Sequence, residues 1–297
     1  MDKTSFMGDK PVNRMGFGAM QLAGPGVFGP PRDPDAARAV LRRALELGVD
    51  HIDTAQYYGP DVVNDLIRET LHPYPENLKL VTKVGGRRDH QGGWLPAQSP
   101  AELRAGVEDN LRSLQVERMD LVNLRLMDHE AVGDLLAEQL GTLEDLRSEG
   151  KLDLIGISEA GVDACRRAFE LVEIAEVQNS YSVVNRSGED VLEICMEREI
   201  AFVPYFPLGS AFAGGPKQLA QDPAVAGVAQ RHRIIATQVA LAWLLSRYQR
   251  ILLIPGTSSV AHLEQNMAAV DIELDESDLA ELESATQLGD PATAAHN

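Results

Sequence analysis

Short β-like runs alternate with longer helical patterns from one end of this chain to the other, and that alternation leaves few folds open to it. Met15 to Met20, Val49 to Asp53, Lys79 to Lys83, Asp120 to Leu124, Leu154 to Ser158, Glu176 to Gln178, Ala201 to Tyr205 and Ile251 to Pro255 read as strands. Asp35 to Leu47, Asp61 to Leu71, Pro100 to Leu114, Ala131 to Gly150, Val162 to Val172, Gly188 to Glu199 and Thr237 to Arg247 read as the helices between them. Val260 to Ala269 and Glu276 to Ala285 follow the last strand. Leu41, Ala44 and Leu45, and again Leu103, Val107, Leu111 and Leu114, recur at helical spacing, so each helix offers one apolar face to a sheet. The order predicts a parallel sheet with helical crossovers. Eight strand-helix units in roughly 250 residues match a closed (β/α)8 TIM barrel. An open doubly wound sheet is the alternative, but the chain lacks a Gly-x-Gly-x-x-Gly turn between a strand and its helix.

No interdomain linker or internal repeat interrupts the 297 residues, so a single domain over 1–297 is expected, with 289–297 as a flexible tail. Before the first barrel strand lies an N-terminal extension. Three loops rich in Gly or Pro, Ala23 to Asp33, Arg87 to Ser99 and Leu208 to Asp222, belong over the catalytic mouth of such a barrel. The 27 basic and 45 acidic residues give a formal charge of −18, which argues against nucleic acid and anionic membranes as partners. Lys83, Arg87, Arg88 and Arg125 would then be local positive sites suited to an anionic cofactor or substrate. Cys165 and Cys195 both fall in helical patterns and read as buried thiols rather than a disulfide. With no signal-peptide core in Met1 to Lys10 and no apolar window of roughly 18 residues, a cytoplasmic location is expected. His51, His90 and His129 have no partners at metal-ligand spacing, and no metal is expected.

The chemistry concentrates in Asp53-Thr54-Ala55-Gln56-Tyr57-Tyr58-Gly59 and in Thr82-Lys83. A phenol beside an ammonium that a carboxylate holds in place is a proton donor, and the ammonium is expected to lower the phenol's pKa towards neutrality. In a barrel, Asp53, Lys83, Arg125, Ser158, Gln178 and Tyr205 all lie at carboxyl ends of strands, with Tyr58 on the loop after the second. Any one of them taken alone reads equally as a strand or helix cap. Six at equivalent positions read as a site for carbonyl reduction.

These motifs, together with Asp120-Leu121-Val122-Asn123-Leu124, Gly156-Ile157-Ser158, Val177-Gln178-Asn179, Tyr205-Phe206-Pro207-Leu208-Gly209 and Ile254-Pro255-Gly256-Thr257 followed by Asn266, resemble those of the aldo-keto reductases over nearly the whole chain. The Asn123-Leu124-Arg125 variant and the loops Gly18 to Asp33 and Ile254 to Leu263 are similar to the bacterial pyridoxal reductase branch of that family. By this resemblance Tyr58 is the general acid, Lys83 tunes it and Asp53 holds Lys83. Ser158 and Gln178 would bind a nicotinamide carboxamide, and Tyr205 would stack on the ring. Glu159, Pro207, Leu208, Gly256, Thr257, Ser258, Ser259, His262 and Asn266 would complete the cofactor site, with NADPH expected and NADH left open.

Three departures from the family pattern matter. Arg125 replaces a catalytic His, and a guanidinium cannot shuttle a proton; it can donate hydrogen bonds, attract an anionic substrate group and lower the pKa of Tyr58. Its alternative use is a salt bridge to Asp53 or Asp128. Glu159 replaces an Asn and accepts hydrogen bonds without donating. Gly256 and His262 stand where Lys and Arg often grip a 2′-phosphate, leaving Thr257, Ser258 and Ser259, which read equally as a helix cap. Met20, Phe28, Trp94, Met127 and Phe212 are the expected substrate wall. The resemblance implies reduction of pyridoxal to pyridoxine by NADPH. Reduction of another aldehyde, or of a sugar or polyketide ketone, is one alternative, and a nicotinamide-sensing protein with little turnover is another.

Overall fold

The computed structural model describes residues 2–130, 132–209 and 215–288; Phe212 and the tail 289–297 lie outside them. Seven strands form one parallel sheet: β3 (Phe17–Gly18), β4 (His51–Asp53), β5 (Lys79–Val84), β8 (Met119–Arg125), β9 (Leu152–Ser158), β10 (Glu176–Gln178) and β11 (Ala201–Phe202). The expected eighth strand closes the sheet through parallel bridges, Phe202 to Ile251 on one side and Met15 to Leu253 on the other. Gly16 N donates to Leu253 O at 2.8 Å, and Leu253 N donates to Arg14 O at 2.8 Å. The fold is an α/β barrel of the TIM type.

The closing seam is tight. A Cβ on Gly18 would lie 2.4 Å from Ile254 O, and one on Gly256 would lie 2.4 Å from Gly18 O, so both positions need glycine. Arg14, fully buried beside the seam, donates to Leu245 O and Tyr248 O at 2.7 Å each and to Ile251 O at 3.3 Å. Burial pushes its pKa down to about 10, which still leaves it charged at neutral pH.

Helices α1 (Pro34–Glu46), α2 (Val62–Leu71), α3 (Pro100–Leu114), α4 (Asp134–Ser148), α5 (Val162–Leu171), α6 (Glu189–Arg198), α9 (Ala236–Arg247), α10 (Val260–Met267) and α11 (Glu276–Leu282) lie within two or three residues of their expected bounds. Local chemistry sets their starts: Asp33 accepts from the amides of Asp35 and Ala36, and Ser99 with Glu102 forms a reciprocal capping box. Cys165 in α5 and Cys195 in α6 are buried and free.

Four differences from the sequence reading have physical causes. The strand expected over Met15 to Met20 ends at Gly18, because Ala19–Leu22 turns into a short 3-10 helix. The N-terminal extension is a hairpin, β1 (Thr4–Met7) with β2 (Lys10–Asn13), whose Met7 and Val12 bury against Val81, Leu121, Ala201 and Leu252 and cover the barrel's apolar floor. The loop Arg87 to Ser99 contains a second hairpin, β6 (Gly86–Arg88) with β7 (Trp94–Pro96). The third loop contains α7 (Gly215–Leu219) and is followed by α8 (Pro223–His232), which Asp222 caps by accepting from Ala224 N and Val225 N.

Inside the barrel, strand register arranges side chains in rows. Lys83, Asn123, Gly156 and Glu176 pair across β5, β8, β9 and β10, and one row nearer the mouth Arg125, Ser158 and Gln178 pair across β8, β9 and β10. Gly156 makes the lower row possible, since a Cβ there would lie 2.1 Å from Asn123 Oδ1 and 2.9 Å from Glu176 Cγ. Gly156→Ala is therefore expected to destabilise the protein by about 1–3 kcal/mol through overpacking. Urea denaturation should show a lower midpoint at unchanged slope; an unchanged midpoint would mean that the row yields freely.

A candidate active site at the barrel mouth

Asp53 ends β4 and Lys83 lies one residue before the end of β5, so neighbouring parallel strands place acid and amine side by side. They form a buried ion pair. Lys83 Nζ also donates to Thr54 O at 3.3 Å, while the other carboxylate oxygen of Asp53 accepts from Gln178 Nε2 at 3.0 Å. The adjacent, outward-facing threonines anchor both strands to the helices behind them. Thr54 Oγ1 donates to Asn64 Oδ1 at 2.8 Å, and Thr82 Oγ1 donates to Asn110 Oδ1 at 2.7 Å. Asn64 Nδ2 in turn donates at 3.0 Å to both Asn110 Oδ1 and Ser113 Oγ. The network ties α2 and α3 to the ends of β4 and β5, where the ion pair needs its geometry held.

Tyr58 sits on the turn after β4, its amide donating to Ala55 O at 2.9 Å. Its ring centre lies 5.4 Å from Lys83 Nζ and 5.5 Å from the ring of Tyr57, edge to face. The expectation that lysine lowers its pKa is corrected here. Burial, and then the Asp53 carboxylate, raise the Tyr58 pKa, and Arg125 is the cation that opposes them. Lys83 does not lower it because the ammonium is paired to Asp53, whose carboxylate, with burial, sets the direction. Tyr57 is raised too, by burial first, and its hydroxyl has no hydrogen-bond partner among the described residues.

Arg125 pairs with neither Asp53 nor Asp128. Its Nη2 stands 3.6 Å from Glu159 Oε1, on the next strand end. Glu159 has a left-handed backbone, φ 61°, which turns its buried carboxylate towards the mouth; there it accepts from the Tyr205 hydroxyl and lies 3.5 Å from His129 Nε2. Burial works against the Arg125 charge, but Tyr57, Glu159, Tyr205 and Tyr58 together outweigh it and raise the guanidinium pKa. Trp94, 42 % exposed, lies between two cations, 3.9 Å from the Arg88 guanidinium and 5.8 Å from that of Arg125. Arg88 also reaches the ring of Phe28 at 5.5 Å and donates to Gly26 O and Gly92 O, pinning the β6–β7 hairpin against the first loop.

Of the remaining candidates, Ser158 is buried in the row with Arg125 and Gln178. Tyr205, half-buried, bridges to Ser180. Pro207 is buried, and Leu208, Met20 and Met127 are half-buried. Gly256, Thr257 and Ser258 form the turn into α10, which Ser259 caps by accepting from His262 N at 3.4 Å; Ser259 N donates to Thr257 Oγ1 at 3.1 Å. His262 is exposed and Asn266 buried. Phe212 falls outside the described residues. Sequence reasoning named Arg88 as a local positive site without its place over the rings of Phe28 and Trp94, and it missed His129 and Glu176 here. Only Glu176 carried a signal: Glu176-Val177-Gln178 alternates, so Glu176 had to share a face with Gln178.

This geometry can hold a proton on a phenol near a cation, beside the rings of Tyr57 and Trp94. Residues 14–287 match the aldo/keto reductase family. The chain belongs to the aldo/keto reductase family. As a member it is an oxidoreductase. It is 46 % identical, over 96 % of its own length and 98 % of the relative's, to pyridoxine 4-dehydrogenase of Escherichia coli, strain K12. A probable aldo-keto reductase of Glycine max is 31 % identical over 95 % of this chain and 87 % of that one. Among solved structures, an aldo/keto reductase from Klebsiella pneumoniae in complex with NADP and acetate superposes with a TM-score of 0.78 at 26 % identity, covering 95 % of each chain. No helix among the described residues is long and apolar enough to cross a membrane.

Removing the acid from the ion pair leaves a buried ammonium without its countercharge. Asp53→Asn is expected to cost about 3–5 kcal/mol, and adding Lys83→Met should recover much of that loss. Urea midpoints of the two single variants and the double variant form the cycle; additive losses would show that the pair is not coupled.

Proposed function

We propose that this aldo/keto reductase uses NADPH to reduce pyridoxal to pyridoxine, with Tyr58 as proton donor, Lys83 and Asp53 as its support and Arg125 as the group that recognises the substrate. The observation that carries the substrate is Arg125. Its Nε–H is buried without a partner among the described residues, and its guanidinium lies against Trp94 beside the two tyrosines. Pyridoxal carries a readily ionised ring hydroxyl next to its aldehyde, so a fixed cation near the proton donor suits it. The 46 % identity to a pyridoxine 4-dehydrogenase supports the same substrate.

The donor set fits a nicotinamide cofactor. Ser158 and Gln178 share one row, and Gln178 uses its NH2 on Asp53, which leaves its carbonyl oxygen to accept from a carboxamide. Tyr205 is steadied by Glu159. Gly256, Thr257, Ser258, Ser259 and His262 would hold phosphate through hydroxyls, backbone amides and an imidazole, with Pro207, Leu208 and Asn266 around them. NADPH, when bound, supplies hydride to the carbonyl carbon. The carbonyl oxygen then takes the Tyr58 proton, and the resulting phenolate is stabilised by Arg125, the cation that lowers the Tyr58 pKa. Burial holds the proton on the Tyr58 phenol, and Arg125 is the group that eases its release. Met20, Phe28, Trp94 and Met127 would wall the substrate.

The test is NADPH oxidation at neutral pH with pyridoxal, benzaldehyde and a sugar ketone, with NADH in parallel. Tyr58→Phe should lose about 10²–10⁴ in kcat, whereas Tyr57→Phe should keep most activity. Arg125→His should lower kcat/KM for pyridoxal on the order of tenfold more than for benzaldehyde, the scale of one charge-assisted hydrogen bond. Equal losses would remove Arg125 from substrate recognition, and NADPH binding without turnover of any carbonyl would favour a sensor.

A further inference from the structure

Asp53, Lys83, Tyr58 and Arg125 share the barrel interior with a carboxyl group that the proposed reaction does not use. Glu176 begins β10 inside the barrel, 1 % exposed, in the row of Lys83 and Asn123. Its Oε1 accepts from Asn123 Nδ2 at 2.8 Å. Its Oε2, like Asn123 Oδ1, is buried with no hydrogen-bond partner among the described residues. The strands around it offer Asp53 from β4, Lys83 from β5, Asn123 from β8, Gly156 from β9 and Ala201 from β11. Only Asp53 and Lys83 among these carry charge, of opposite sign, and the Lys83 ammonium is already given to Asp53 and Thr54 O.

A carboxylate in such a place has one hydrogen bond and no cation of its own, so the neutral acid is favoured. Burial chiefly, against the Asn123 hydrogen bond and with the Asp53 charge opposing that of Lys83, pushes the Glu176 pKa up to about 7. Gly156 is the space that lets both side chains fit, so three strands cooperate to keep an acid where shape alone would accept an amide.

We propose that Glu176 is a positioning residue that acts through charge: its proton, held in the row of Lys83, decides how readily Tyr58 releases its own. The proposal rests on the reading of Tyr58 as proton donor. With Glu176 neutral, Asp53 and Lys83 carry no net charge between them, and at the phenol the Asp53 carboxylate is opposed by Arg125. With Glu176 ionised, the group of Asp53, Lys83 and Glu176 carries one net negative charge, which opposes the negative charge that builds on the substrate oxygen and on Tyr58 in the transition state. The protonated form is therefore the faster one, and kcat/KM falls as pH rises through the Glu176 ionisation.

The experiment is the pH profile of kcat/KM between pH 5.5 and about 9, with benzaldehyde as a substrate that does not ionise, for the wild type, Glu176→Gln and Asn123→Leu. Glu176→Gln, fixed neutral, should match the wild type at the acid end and exceed it at the alkaline end by up to about tenfold, the effect of one unit of coupled pKa. Asn123→Leu removes the one hydrogen bond that favours the carboxylate, so its break should move to higher pH, a shift that a merely structural role does not produce. In protein labelled with ¹³C at the glutamate carboxyls, the resonance lost in Glu176→Gln should titrate near neutrality. Superimposable profiles, or a Glu176 carboxyl that titrates in the ordinary carboxylate range, would overturn this role while leaving Tyr58 in place. Full activity of Tyr58→Phe would overturn both readings.

Discussion

The buried ion pair between Asp53 and Lys83 is the interaction on which the mouth of this barrel depends. Two charges out of water are tolerable only when geometry is held and leftover hydrogen-bonding capacity is used. Both conditions are met by distant parts of the chain. Gln178, from the far side of the barrel, takes the second oxygen of Asp53, and the Thr54 carbonyl takes a second proton of Lys83. Behind them the Thr54, Asn64, Asn110, Ser113 and Thr82 network holds the two strand ends against α2 and α3. Burial first keeps the phenol of Tyr58 protonated, and the pair adds to it, because the ammonium nearest to the ring brings the Asp53 carboxylate with it.

Arg125 then becomes the cation that matters to Tyr58, and it too is held by a carboxylate, at a longer distance. Glu159 stands 3.6 Å from it and shares itself with Tyr205 and His129. One residue thus links the cation beside Tyr58 to the ring of Tyr205. Two departures from the family pattern, Arg125 and Glu159, are therefore one arrangement. A lone arginine in that position would lack its local countercharge, and a lone glutamate after Ser158 would bury an unpaired charge. The net charge of −18 is a property of the whole surface and says nothing about this pocket, where cations crowd around Trp94.

Much of the architecture was legible from periodicity. Strand and helix patterns placed the eight barrel segments in order, and Ser99 with Glu102 announced the start of α3 as clearly as the structure shows it. What escaped was short or irregular. The β6–β7 hairpin has three residues in each strand and is held by Arg88 bonds to Gly26 and Gly92, contacts between loops that no local pattern encodes. The α8 helix did carry a signal in Asp222-Pro223 followed by Ala224, Val225 and Val228.

Periodicity and strand-end chemistry were determined by the sequence alone, because alternation and caps are properties of neighbouring residues. They put Asp53, Lys83, Arg125, Ser158 and Gln178 at one end of a barrel. The tertiary structure alone decided which charges cancel. That Arg125 faces Glu159, that the Tyr58 phenol is raised, and that Glu176 lies in the row of Lys83 all depend on register between strands separated by dozens of residues. They depend as well on how much water the closed barrel excludes. Electrostatic energies follow distance and dielectric, and neither is written in the order of residues along a chain.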